Sequence, residues 1–181
     1  DGNIDYKLTL IPTDNIKVQD IRLVVPLNTE IGKYMMGLGE QGGYLDRDIK
    51  WNWAVEKNQD GPWVGKENAG IQVRFRDINY ERPLNTNFYQ QKPLNMPHSW
   101  YNNGNGGINI LHNAESIDIV GYSGERFVER GDIFHFNFNI AITPFKPIDT
   151  KKQWSHRFYH RHLPVDSIKA YGANTINIHH A

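Results

Sequence analysis

The chain has 181 residues, 39% of them hydrophobic and 22% charged, and its 20 acidic and 20 basic side chains cancel to a formal net charge of zero. This composition fits one folded domain, or one domain and part of a second, and gives no global electrostatic pull toward nucleic acid or an anionic membrane. Cysteine is absent, which excludes disulfides, zinc–thiolate sites and thiol nucleophiles, and no apolar run is long enough to cross a bilayer.

Alternation of apolar and polar residues dominates the first 142 positions. Ile4, Tyr6, Leu8 and Leu10 share one face of the first strand region, and Ile21, Leu23 and Val25 share one face of the next. Glycine-rich segments at residues 37–43 and 65–70 are expected to break strands. Ile71, Val73 and Phe75 alternate with Gln72, Arg74 and Arg76. Pro83, Pro93 and Pro97 mark a long irregular stretch over residues 79–100, and residues 102–107 (Asn-Asn-Gly-Asn-Gly-Gly) form a turn cluster. Ser123-Gly124 is expected to close a hairpin between residues 117–122 and 125–129. A last strand over residues 133–142 puts Phe134, Phe136, Phe138, Ile140 and Ile142 on one face, with His135, Asn137, Asn139 and Ala141 on the other.

No amphipathic helix is expected before residue 160. The fold class is therefore mainly β, an antiparallel β-sandwich over residues 1–146 that begins inside a domain. After Pro144-Phe145-Lys146-Pro147 the pattern changes. Residues 147–181 read as a linker, then a helix from Pro164 with Val165, Ile168 and Tyr171 in one stripe, a Gly172 cap, and a strand at 175–178. That helix and strand are the seed of an α/β unit, a second domain cut short.

Four of the five tryptophans (Trp51, Trp53, Trp63, Trp100) fall within residues 51–100, and Tyr101 follows the last of them. Aromatic faces stack on the C–H faces of sugars, so these five residues are carbohydrate-binding candidates. Burial in the core is the competing reading, since tryptophan is heavily buried on average. Glycoside hydrolysis needs two carboxyl groups roughly 5–9.5 Å apart. Glu40, Asp46, Asp48, Glu56, Asp60, Glu67 and Asp77 all lie in turn-like polar sequence and are expected to be solvated, so no catalytic residue is assigned. His156, His160 and His162 lack the glutamate of a His-Glu-x-x-His zinc motif, so no metal or other cofactor is expected. Gly37-Leu38-Gly39 lacks a phosphate-loop context, and no Gly-x-Ser-x-Gly elbow occurs.

Several blocks together carry a family likeness. They are residues 33–39 (Lys-Tyr-Met-Met-Gly-Leu-Gly) with Gly42-Gly43, Trp51-Asn52-Trp53, Trp63-Val64-Gly65 and residues 68–72 (Asn-Ala-Gly-Ile-Gln). They continue at residues 143–147 and end with residues 172–181 (Gly-Ala-Asn-Thr-Ile-Asn-Ile-His-His-Ala). In these the chain resembles large bacterial proteins related to glycoside hydrolase family 123, including members from Bacteroides. The resemblance implies an N-terminal, supersandwich-like β-sandwich followed by a catalytic (β/α)-barrel, with the chain stopping at the first barrel strand. It also implies a substrate-assisted N-acetylgalactosaminidase parent, whose Asp-Glu pair lies in the barrel beyond residue 181, and a periplasmic or extracellular setting. His179 and His180 would then top the first barrel strand and face the sugar site, which adds them to the carbohydrate-binding candidates.

The expected function is a noncatalytic β-sandwich domain of a glycoside hydrolase. It would pack on the barrel of the same polypeptide and contribute to glycan binding, with no nucleic-acid or membrane partner. The alternative is an independent carbohydrate-binding module. Exposure discriminates them: three or more aromatics on one open platform favour binding, whereas buried aromatics favour scaffolding.

Overall fold

A strand with one apolar face needs that face covered, and the chain meets this requirement by stacking two antiparallel sheets. The computed structural model describes residues 2–55, 60–81, 94–147, 149–159, 166 and 172–176. The chain divides into two units, Asp1–Phe145 and Lys146–Ala181.

The first unit runs β1 (Asn3–Tyr6), β2 (Thr9–Leu10), β3 (Ile16–Val18), β4 (Arg22–Asn28), β5 (Tyr34–Gly37), β6 (Glu40–Tyr44), β7 (Ile49–Asn52), β8 (Trp63–Lys66) and β9 (Ala69–Arg76). A single helical turn α1 (His98–Tyr101) follows, then β10 (Gly107–His112), β11 (Ser116–Tyr122), β12 (Arg126–Val128), β13 (Phe134–His135) and β14 (Asn137–Thr143). A six-stranded sheet has the order β1-β14-β9-β8-β5-β6 and a four-stranded sheet the order β4-β11-β10-β7. Two short ladders, β12–β3 and β13–β2, flank them. The fold is an antiparallel β-sandwich, as the alternation requires.

The core lies between the sheets. Met35, Val64, Val73 and Phe75 come from the larger sheet; Ile49, Trp51, Ile108, Ile110, Ile117 and Ile119 come from the smaller. Gly121 of β11 leaves the notch that the Phe75 ring fills: a Cβ there would meet Phe75 Cδ1 at 2.5 Å. Trp100 of α1 plugs one end, edge-on to Phe75 and Phe136 with ring centroids 5.0 Å apart in both pairs. Its Nε1 donates to the Asn137 carbonyl at 3.0 Å.

Two local expectations differ from the structure. Ser123-Gly124 closes no hairpin, because β11 pairs with β10 and β4 while β12 pairs with β3. The Asp20 carboxylate accepts both N–H groups of this dipeptide, at 3.2 and 2.9 Å, and the chain crosses there from one sheet to another ladder. The strand expected over residues 133–142 is interrupted at Phe136, which is buried and donates its N–H to Leu8. The glycine-rich segments do break strands: β5 gives way to β6 at Leu38-Gly39 and β8 to β9 at Glu67-Asn68, while Gly42, Gly43, Gly65 and Gly70 lie within the strands on either side.

In the second unit a short helix α2 (Thr150–Ser155), not expected from the sequence, precedes β15 (Phe158–Tyr159), which pairs in parallel with β16 (Thr175–Ile176). Asn174 fastens this pair: its Oδ1 accepts the Arg157 N–H at 2.8 Å and its Nδ2 donates to the Ser155 carbonyl at 2.9 Å. Val165, Ile168 and Tyr171 of the expected helix lie outside the described residues.

Candidate functional site

Alternation decides where each sequence-predicted aromatic goes. Trp51 and Trp53, two apart, both enter the core and meet edge-on with centroids 4.9 Å apart. Trp100 is buried as well, and Tyr101 packs half-buried against the same cluster. None of these four offers an open ring platform. His179 and His180 lie outside the described residues. The polar face of the last strand is also engaged. The Thr9 hydroxyl meets His135 Nδ1 at 3.3 Å and Asn137 Oδ1 accepts the Leu8 N–H at 3.1 Å. Asn139 donates to Asn3 Oδ1 and Asp5 Oδ1 at 2.9 Å each.

Trp63 is placed differently. It points to the outer face of the six-stranded sheet, where its indole lies half-buried across Gly65 and Gly70, paired residues of β8 and β9. A Cβ on Gly65 would meet Trp63 Cζ2 at 2.5 Å, and one on Gly70 would meet Cε2 at 2.6 Å. The ring is held in place because Nε1 donates to Thr143 Oγ1 at 2.8 Å.

The neighbouring strands extend this surface. Tyr34 of β5 is opposite Gly65, and Tyr44 of β6 is opposite Tyr34. Opposite residues in an antiparallel ladder share a face, so Tyr44, Tyr34 and the Trp63 indole form one row across four strands. The two tyrosine rings are 4.8 Å apart and tilted by 38°. Tyr44 is 76% exposed, and Met36 beside the row is 54% exposed. Tyr34 Oη reaches Glu67 Oε1 at 3.4 Å. Its hydrogen bond with Tyr44, then burial and the nearby Glu67 charge, push the Tyr34 phenol up to about 12. Sequence reading missed both tyrosines. The available signal was a tyrosine in each of two short strands flanking a glycine-rich turn.

The carboxylates depart from expectation in two places. Asp60 and Asp77 are buried. Asp60 accepts from Tyr80 Oη at 2.5 Å and lies 3.9 Å from Arg74 Nε. Asp77 takes the N–H groups of Asn79 at 2.7 Å and Ser99 at 3.3 Å. Local hydrogen bonding therefore outweighs the polarity that made them read as solvated. Asp77 also lines two shallow clefts, about 110 and 230 Å³, one beside Tyr6 and Arg76 and the other beside His98 and His135. Glu56 lies outside the described residues. Among the described residues no three His, Asp or Glu side chains converge as a metal set.

Two sheets over one core, with most tryptophans packed inside and one aromatic row outside, define a β-sandwich domain whose accessible chemistry lies on a sheet face. The family model described as Glycoside hydrolase 123, third domain, matches residues 1–144, and the chain belongs to that family. The relation implied by the sequence blocks holds. No curated protein and no solved structure matches the chain.

Proposed function

We propose that this chain is a noncatalytic β-sandwich domain of a glycoside hydrolase 123 protein and that it packs against the catalytic barrel of the same polypeptide. The observation that carries this reading is membership in a family described as a third domain. A second feature supports packing. Ile4, Tyr6 and Ile142 occupy the face of the larger sheet that turns inward at Val73 and Phe75, yet they are 43%, 43% and 51% exposed. They form an apolar strip at the β1 edge, the kind of surface that a neighbouring domain covers. Residues 147–181 are read as the start of that barrel, consistent with the parallel pairing of β15 and β16.

Co-purification of residues 1–145 with the separately expressed catalytic domain of the parent polypeptide tests the proposal. Association is expected, and Ile4→Asp is expected to weaken it by about tenfold or more. A folded 1–145 unit that ignores the catalytic domain overturns the reading.

A further inference from the structure

We propose that the outer face of β6, β5, β8 and β9 is a saccharide-binding strip on which a neutral glycan lies across Tyr44, Tyr34 and Trp63. The strip is separate from the β1 edge assigned to domain packing, so either assignment can fail without the other.

Three observations carry it. The first is composition. Farther along the same outer face, beyond Gln72, the sheet is polar, with Asp5 paired to Arg76 at 3.1 Å and Asn139 fastened to Asp5. At its β6–β5–β8 end the strand side chains change to rings. The second is the glycine pair. Side chains at 65 and 70 would collide with the indole, so the two glycines let Trp63 lie on the sheet instead of projecting from it. The ring is also fixed by Thr143, which reduces the ordering cost on binding. The third is length. Four adjacent strands at ~4.8 Å spacing span roughly 14 Å, more than one sugar ring and the scale of a short oligosaccharide.

The polar groups at the row's end choose the ligand. The Tyr34 and Tyr44 hydroxyls and the Glu67 carboxylate gather at one end. An apolar protein surface would bury these groups without partners, at a cost. A saccharide places C–H faces on the rings and offers hydroxyls to the oxygens at the edge. The carboxylate disfavours an anionic sugar, which makes the ligand neutral.

The test is a titration of the 181-residue chain with galactose, N-acetylgalactosamine, cellotetraose and chitotriose, with tetragalacturonate as the anionic control. Tryptophan fluorescence and amide chemical shifts are the readouts. At least one neutral probe is expected to bind with a Kd of about 1 mM or tighter, moving the amide signals of Tyr34, Tyr44 and residues 63–70. Tyr44→Ala removes an exposed ring and leaves the core intact. It is expected to weaken binding about tenfold, while Ile4→Asp on the edge strand β1 leaves binding unchanged. Three outcomes overturn the proposal: no neutral probe binds to the folded chain at roughly 20 mM, shifts map away from the strip, or Tyr44→Ala binds as well as the parent.

Discussion

Gly70 carries no side chain because the Trp63 indole occupies the space one would take. Gly70→Ala puts a methyl group within 2.6 Å of Trp63 Cε2, and the ring must lift or the strands must part. Overpacking of this kind costs about 1–3 kcal/mol, read as a lower urea midpoint. A blue-shifted or unshifted emission with unchanged stability would show that the indole does not rest on the glycines. A second residue-scale device is the clasp between Asp48 and His112. The backbone N–H of His112 donates to Asp48 Oδ1 at 2.8 Å, and its ring Nδ1 lies 3.0 Å from the same oxygen. These bonds, the backbone one first, hold the Asp48 carboxyl below the usual carboxylate range. A carboxyl depressed in the folded state stabilises fully above its unfolded value of about 3.9 and loses that contribution as pH falls through the folded value. Asp48→Asn should therefore flatten the acid limb of the unfolding curve below about pH 4 and leave the neutral slope alone. An acid limb identical in the two proteins would rule the clasp out as a source of acid lability.

At the scale of elements, the period-2 pattern revealed which segments are strands but not which partners they take. Residues 134–140 alternate strictly, yet they are divided between two strands. Phe136 bonds to Leu8, so β13 and β14 sit in different ladders. Ser123-Gly124 has hairpin chemistry, but Asp20, a hundred residues earlier in the chain, claims its N–H groups. The glycine-rich segment at 65–70 is a break as its pattern says, but Gly65 and Gly70 also leave the space that the Trp63 ring fills, which no local pattern encodes. The candidate site was half legible for the same reason. Trp63 stood out by type, while Tyr34 and Tyr44 became visible only once register set them beside it. Strand β1 adds a testable case. It is the outermost strand, and Asn139 Nδ2 ties it down through Asn3 Oδ1, Asp5 Oδ1 and the Ile4 carbonyl. Asn139→Ala removes the two bonds that its NH2 can donate at a time, at about 0.5–1.5 kcal/mol each. Hydrogen exchange across residues 3–6 is expected to speed up while β10 and β11 keep their protection. Uniform protection in the variant would mean that the backbone ladder alone secures β1.

For the whole molecule, the two ends of the larger sheet are assigned different work by the two proposals. At the β1 edge its inward face runs past the core and leaves Ile4, Tyr6 and Ile142 exposed. At the β6 edge its outward face carries the aromatic row. The two surfaces are on opposite faces of one sheet, and Tyr44 and Ile4 lie on its two edge strands, so a domain seated on the first need not cover the second. On these two proposals the domain would hold a glycan while fixed to the catalytic barrel. That arrangement predicts independent losses, because sites far apart with no shared partners add without coupling. Ile4→Asp should weaken association with the catalytic domain about tenfold or more and keep saccharide affinity within about twofold. Tyr44→Ala should do the reverse. In the intact parent enzyme Tyr44→Ala should raise KM for a polymeric glycan and leave turnover of a small chromogenic substrate unchanged, since the small substrate reaches only the barrel. An equal loss on both substrates would place Tyr44 in barrel contact and merge the two surfaces into one interface.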